Sequence, residues 1–408
     1  MTILDYIYHR VLIKMRVYIV LAYLLVSCSL HLAEASNPFG ELVDRLKSKL
    51  GGMFKKKERS RTDVPELSGA VLTATLSGGS VIVPVIDVGR LLSGTVEDRM
   101  TISAQIARAC EEIGFFIIVN HGIGEEVIAN AWRTTRDFFD LPEEEKLKLV
   151  KPQAEYPFGY SKFGGEVLSA GKAAEKKGGN ESRSSAPPDL KELFSLGPDH
   201  PQSGFPGRLF PESPVDFSDA WTVYYSEMNK LASRILGCFA LALNLDEDFF
   251  EQFVDHHASA LRALNYPHIE GYVPSPGQLR ASAHTDYGTI TILRSDAPGL
   301  QVSKDKDPPN WIDVPFVKDG LIVNLGDLMK RWTNDRWLST LHRVVNPVAS
   351  DTCWADSGST RRQSMAFFHN PNRDALVTVL NAESPKYEPI FAGEFLMQKH
   401  LAAVGGKE

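Results

Sequence analysis

The hydrophobic pattern of this chain changes its period near residue 260. Before that point the apolar positions recur at helical spacing. Ile102, Ile106, Ala109, Cys110 and Ile113 predict an amphipathic helix that Gly114 ends. Residues 81–86 (VIVPVI) ahead of it read as a first strand. Residues 115–119 (FFIIV) behind it read as a buried strand closing at Asn120-His121-Gly122. A helix over about 125–139 follows. Another opens at Leu141-Pro142 with three glutamates, proline in its first turn and acids at its positive end. Trp221, Tyr225, Met228 and Leu231 mark a long amphipathic helix to about residue 243, with a shorter one around 246–254. From Ala260 onward the pattern becomes LRALNY, TITIL, LQV, LIVNLG, HRVVN and SMAFF, short β-branched or aromatic runs separated by Gly, Pro, Asp or Asn. No helical pattern interrupts them until residues 393–401. Such a succession predicts an antiparallel sandwich or barrel rather than a βαβ sheet.

Other stretches fall outside this patterning. Residues 169–188 are Ala, Gly, Lys, Ser and Pro with hardly any apolar bulk, the composition of a loop or disordered insert. Near the N-terminus, Lys14-Met15-Arg16 precedes the run VYIVLAYLLVSCSL, and Ala33-Glu34-Ala35 follows. That order reads as a secretory signal peptide, and the run falls short of the about 20 residues that a membrane span requires. Over residues 36–61, lysines and arginines outnumber acids, and Leu42, Leu46 and Leu50 share a helical face. This stretch is a solvated tether or a second targeting element. With Phe39 early in it, it resembles the bipartite plastid leaders of algae with secondary plastids.

Composition narrows the function classes. With 43% hydrophobic and 23% charged residues, a mostly disordered or collagen-like chain is excluded. A net charge of −7 gives no basic field for nucleic acid or an anionic membrane. Cys28 lies in the leader. Cys110, Cys238 and Cys353 remain, odd in number and widely spaced, which is neither a disulfide framework nor a zinc pattern and fits a reducing destination or buried free thiols. The sequon Asn180-Glu181-Ser182 matters only in a chain that enters the ER.

The chemistry gathers in the β-rich part. In His284-Thr285-Asp286, a strand's period of two puts residues 284 and 286 on one face. His342 follows at the start of a later strand. Two imidazoles and a carboxylate form the facial triad that suits non-haem Fe(II) with open coordination positions. Arg362 and Ser364 again share a face: a buried arginine holds a carboxylate bidentately and the serine adds a hydroxyl. Tyr266 is a further donor. His-x-Asp, a lone histidine or R-x-S is weak in isolation; the ordered set on successive strands is specific.

With VPVIDVGRL, CEEIGFFIIVNHGI, PPDLKELFSLGP, LNYP, HTDYGTITIL, GLIVNLGDLMKRWTNDRWLSTLHRVVNP and RQSMAFFHNPN in this order, the chain resembles the Fe(II)- and 2-oxoglutarate-dependent oxygenases of the isopenicillin N synthase-like type, over roughly residues 81–401. The resemblance implies a mixed α/β protein, mainly β, whose double-stranded β-helix (jelly roll) is flanked by helices. It implies that His284, Asp286 and His342 bind iron, and that Arg362 and Ser364 grip the distal carboxylate of 2-oxoglutarate with Tyr266 assisting. O2 is the oxidant and ascorbate a candidate reductant. The expected organisation is a signal peptide over 1–35, a basic leader over 36–80 and an N-terminal oxygenase region over 81–200. A helical segment over 201–258, the catalytic core over 259–380 and a C-terminal helix and tail over 381–408 follow.

The implied reaction is oxidation of an unactivated C–H bond of a small molecule, by hydroxylation, desaturation or ring closure. A kainoid-type cyclisation of an amino-acid derivative is one concrete candidate. No nucleic-acid partner and no membrane span after leader cleavage are expected, and the chain is expected to be a monomer in the ER lumen or a plastid rather than outside the cell. The alternatives are an iron oxidase of the same fold that does not use 2-oxoglutarate, and a silent binding protein. Two departures stand out: an insert over residues 348–361, and Leu264 where many plant relatives carry Asn. His121 reads as a turn and packing residue. His268 and His369 are candidates for the pocket, and Trp332, Trp337, Phe367 and Phe368 for core or pocket wall.

Overall fold

The computed structural model describes residues 83–150, 158–168, 187–199, 207–268, 271–305, 307–347 and 359–404. The expected signal peptide with Cys28, the expected basic leader, the sequon, Cys353 and nearly all of the 169–188 and 348–361 inserts lie outside these residues.

The N-terminal part runs β1 (Val85–Asp87), α1 (Arg90–Ser93), α2 (Val96–Glu112), β2 (Phe115–Val119), α3 (Glu125–Phe139), α4 (Glu143–Leu147), β3 (Gly159–Ser161) and β4 (Glu192–Leu196). The helices α5 (Phe217–Ala242) and α6 (Glu251–Val254) follow. Then come β5 (Ala260–Tyr266), β6 (Ala281–His284), β7 (Ile290–Ser295), β8 (Leu300–Ser303), β9 (Ile312–Asp313) and β10 (Leu321–Leu325). The chain closes with α7 (Asp327–Trp332), β11 (Leu341–Val344), β12 (Arg362–His369), β13 (Leu376–Val377), β14 (Ile390–Phe391) and α8 (Ala392–Val404).

Local chemistry accounts for the start of α2 and the packing of α5. Thr95 caps α2 in a capping box, its hydroxyl accepting from Asp98 N–H while the Asp98 carboxylate accepts from Thr95 N–H at 2.8 Å. Such a cap contributes about 1 kcal/mol. Within α5, Phe217 stacks on Trp221 at 4.8 Å between ring centres, and the indole N–H donates to Thr135 Oγ1 at 3.0 Å, so the buried ring leaves no polar atom unpaired.

The major sheet orders its strands β1-β2-β10-β7-β12-β5-β4-β3, and the minor sheet β6-β11-β8-β9. This is the jelly roll with its flanking helices. The side-chain period of two decides what each face does. On β12, Met365 and Phe367 turn toward α5 and join the larger core with Tyr225, Met228 and Trp221. Arg362, Ser364, Ala366 and Phe368 turn the other way, into a cavity between the sheets. β5 alternates in step: Leu261 and Ala263 enter the helix-side core, while Arg262, Leu264 and Tyr266 face the cavity. The register Arg362↔Tyr266, Ser364↔Leu264 and Ala366↔Arg262 sets these rows side by side. A smaller core of Phe115, Ile117, Ile322, Leu300, Val302 and Val344 joins the two sheets.

The structure corrects several expectations. Among the described residues the first strand is Val85–Asp87, because Pro84 has no N–H to donate to a ladder. Pro142 caps α4 from outside instead of occupying its first turn. The helix expected over 246–254 shrinks to Glu251–Val254. A short helix, α7, does interrupt the β-rich region. β6 ends at His284, so Asp286 lies in the turn beyond it and the two-residue alternation does not carry it. Cys110 and Cys238 are free and buried, as expected. Among the described residues, no helix is long and apolar enough to cross a membrane.

Candidate active site

Three side chains separated in sequence converge between the sheets. His284 ends β6, His342 lies on β11 directly across the ladder, and Asp286 follows in the turn. One ligand atom from each lies within 4.8 Å of the others. Asp286 Oδ1 is 3.9 Å from His284 Nε2 and 3.6 Å from His342 Nε2.

The neighbours of this trio set which atoms are available. His284 Nδ1–H donates to the Ser282 carbonyl at 2.7 Å, and His342 Nδ1–H donates to the Thr340 carbonyl at 3.1 Å. Each ring is thereby held as the tautomer whose Nε2 lone pair faces the shared space. Asp286 Oδ2 accepts from Thr291 Oγ1 and Asn324 Nδ2, both at 2.6 Å, which leaves Oδ1 for the interior. Burial pushes His284 down to about 4, with His342 adding to the effect. Burial works against the Asp286 carboxylate, but the two imidazoles and its two hydrogen bonds outweigh it and hold the group below the usual carboxylate range. Two imidazoles with Nε2 turned inward and one carboxylate, each fixed from behind, are a donor set that fits a divalent iron.

A cavity of about 260 Å³ runs from this trio along the cavity rows of β5 and β12. Arg362 marks one part of it and is 1% exposed. Its Nε–H donates to the carbonyls of Ala297 and Pro298, both at 3.1 Å, while Nη1 and Nη2 are buried and have no hydrogen-bond partner among the described residues. Two adjacent unpaired donors on a fixed guanidinium match a carboxylate. The Tyr266 ring lies 5.1 Å from the guanidinium carbon, and Ser364 and Leu264 complete this wall. All six residues expected at the site therefore line one cavity.

The sequence reasoning missed Thr291 and Asn324, the two donors that hold Asp286 Oδ2. Arg280 is buried, lies 5.8 Å from the Tyr266 ring and is pushed down to about 10 by burial and by the charge of Arg362. The available signal was a polar residue inside an apolar strand, as in LIVNLG and TITIL, where a buried amide or hydroxyl requires a partner. Of the ambiguous residues, Phe368 lines the cavity while Trp332, Trp337 and Phe367 are core. His369 is buried against Thr289, and His268 contacts Thr360, so neither lines the cavity. His121 accepts the Ile123 N–H at 3.2 Å, a turn role.

Residues 83–214 match the family model described as the N-terminal domain of non-haem dioxygenase in morphine synthesis, and residues 258–371 match that of the 2OG-Fe(II) oxygenase superfamily. The chain belongs to the 2OG-Fe(II) oxygenase superfamily. The oxygenase is 31% identical over 340 residues to the 2-oxoglutarate-Fe(II) type oxidoreductase ppzD of Metarhizium rileyi, covering 80% of this chain and 92% of that one. It is 34% identical over 285 residues to the proline hydroxylase buaE of Petromyces alliaceus, covering 67% and 82%. Among solved structures it resembles a full-length Neurospora crassa protein in complex with α-ketoglutarate, at TM-score 0.70 and 31% identity, covering 81% of this chain and 99% of that one. The protein is a non-haem Fe(II)/2-oxoglutarate-dependent dioxygenase.

Proposed function

We propose that His284, Asp286 and His342 hold the iron, that Arg362 binds the distal carboxylate of 2-oxoglutarate with Ser364 and Tyr266 beside it, and that the remainder of the cavity presents a C–H bond of a small molecule for oxidation. The observation that carries this reading is the buried, unpaired pair Nη1 and Nη2 of Arg362 in the same cavity as the three ligand atoms. A buried guanidinium without an anion is costly, and a dicarboxylate with its other end on the metal relieves that cost.

When bound, Fe(II) and 2-oxoglutarate supply the oxidising power from O2 as the co-substrate is converted to succinate and CO2. The chain's own residues do the rest. Ser282 and Thr340 keep the two Nε2 lone pairs inward, and Thr291 and Asn324 stop Asp286 from turning its second oxygen onto the site. Leu264, Leu293, Leu300 and Val344 make an apolar wall that excludes water from the co-substrate. Phe158, Phe368, Leu396 and Met397 offer an apolar surface to the substrate, and orientation there selects the C–H bond.

The polar part of that surface bears on substrate class. Arg262 Nη1 lies 3.3 Å from Glu166 Oε1, and both residues line the cavity. Adjacent charges of opposite sign suit a molecule carrying both a carboxylate and an ammonium group, which favours an amino-acid derivative. Support also comes from relatives whose names give small molecules, validamycin A and proline.

The test is anaerobic titration of the protein with Fe(II) and then 2-oxoglutarate, followed by the visible metal-to-ligand charge-transfer band. The expected result is a band in the wild type that requires far more 2-oxoglutarate in Arg362→Ala. A band that forms equally well in the variant overturns the assignment of Arg362. Amino acids against neutral molecules, screened by succinate release, then test the substrate class.

A further inference from the structure

β6 is an edge strand. It pairs with β11 alone, with Ala281 opposite Val344 and His284 opposite His342 across a shift in register. On its other side the fully buried carboxylate of Asp189 stands where a neighbouring strand would be. Asp189 Oδ1 accepts both the backbone N–H of Ser282 at 2.9 Å and its hydroxyl at 2.6 Å. Leu190 N–H adds a bond to the Leu279 carbonyl at 3.0 Å. Asp189 Oδ2 faces the buried ammonium of Lys191 at 3.0 Å. The residue that Asp189 grips, Ser282, is the one whose carbonyl fixes the tautomer of His284.

His342 has no such need. β11 is paired on both sides, with β6 and β8, and Thr340 is tied to the Ile113 carbonyl by its own hydroxyl at 2.5 Å. The asymmetry gives the DLKE segment of the sequence a role. A buried ion pair adds little net stability, because its attraction is spent on desolvation, but it fixes geometry. Here the geometry it fixes is that of one imidazole.

We propose that Asp189, neutralised by Lys191, is a positioning residue for His284: it locks Ser282 so that the Ser282 carbonyl holds the imidazole with Nε2 toward the metal. The inference rests on the reading of His284 as a metal ligand.

The experiment is anaerobic titration of the full chain with Co(II), read by its visible d–d spectrum, and with Fe(II), alongside thermal unfolding. The expected result is that Asp189→Ala weakens metal binding by about 10- to 100-fold, the range for residues that orient ligands, and alters the Co(II) spectrum. Asp189→Asn recovers part of the affinity, because its amide oxygen still accepts from Ser282. Lys146→Met breaks the buried Lys146–Glu192 pair (2.8 Å) on the helix side of the major sheet. It lowers Tm and leaves metal affinity unchanged. If Asp189→Ala does not fold, Asp189→Asn and Ser282→Ala carry the test, each expected to weaken binding by a smaller factor.

A folded Asp189 variant with wild-type affinity and spectrum overturns the proposal, as does an equal loss of affinity in Lys146→Met. Failure of the wild type to bind Co(II), or binding that survives His284→Ala, strikes instead at the metal-site reading.

Discussion

Arg362 and Tyr266 are register partners across the β12–β5 ladder, and the guanidinium carbon lies 5.1 Å from the centre of the phenol ring. The ring lies against the cation, two carbonyls hold Nε, and the two terminal nitrogens have no hydrogen-bond partner among the described residues. Loss of one partner from a buried, hydrogen-bonded charge pair costs about 2–5 kcal/mol. Arg362→Ala is therefore expected to raise the KM for 2-oxoglutarate by roughly 30-fold or more, with iron affinity retained. Arg362→Lys recovers little, because a single ammonium cannot reproduce the fork. Steady-state kinetics with varied 2-oxoglutarate decides this, and a KM unchanged in either variant refutes it.

Among the described residues, the second oxygen of Asp286 is held by Thr291 and Asn324 and not by His284 or His342. Thr291→Val and Asn324→Leu keep the approximate shape and remove one donor each. Each is expected to weaken Fe(II) binding by about 10-fold or more, as partners of metal ligands do when lost. Competition with a chromophoric chelator measures the effect. Wild-type affinity in both variants would falsify the claim that these bonds aim Oδ1.

What the sequence shows of this site follows from where each constraint resides. Arg362, Ser364 and Tyr266 lie on long strands, where a period of two assigns faces without further knowledge. Asp286 lies one turn beyond a strand of only four residues, and its place depends on the bond from Asp327 N–H to its carbonyl at 2.8 Å, a tertiary fact. α7, with six residues, offers less than two turns of periodicity and is invisible inside LGDLMKRW. Thr291, Asn324 and Asp189 were visible as polar residues, but their partners come from other strands and loops. The triad itself was legible because its residue types are chemically unusual together, whereas the residues that aim it are ordinary ones made special by neighbours.

Backbone packing in the turn that carries Asp286 leaves no room at Gly326. A Cβ built there would lie 2.2 Å from the Gly288 carbonyl oxygen and under 3 Å from two more Gly288 backbone atoms. Gly288 is two residues past Asp286, and Gly326 N–H donates to Thr289 at 2.9 Å. Gly326→Ala must therefore separate the turn from α7. An overpacked site of this kind typically costs about 1–3 kcal/mol. Urea unfolding of the metal-free protein should show that loss, and Fe(II) affinity should fall with it. Full affinity together with undiminished stability would sink the argument.

Acid sensitivity follows from imidazoles that are buried while neutral. His369 is fully buried, with Nδ1 2.9 Å from Thr289 Oγ1, and burial pushes it down to about 3, with the neighbouring His257 adding to the effect. In the unfolded chain a histidine titrates near 6.5. Between about pH 6.5 and 3 the unfolded chain therefore holds a proton that the folded chain lacks. Stability rises with pH across that window and is lost on acidification, with a limiting slope of about 1.4 kcal/mol per pH unit for one such group. His284, pushed down to about 4, adds to the same trend in the metal-free protein. His369→Gln keeps a partner for Thr289 and removes the titration. Denaturant unfolding of metal-free wild type and variant, repeated from pH 7 to 4.5, should give a shallower acid decline in the variant, by up to one proton's worth of slope. Parallel curves would mean that His369 is protonated in the folded state, and that the acid sensitivity originates elsewhere.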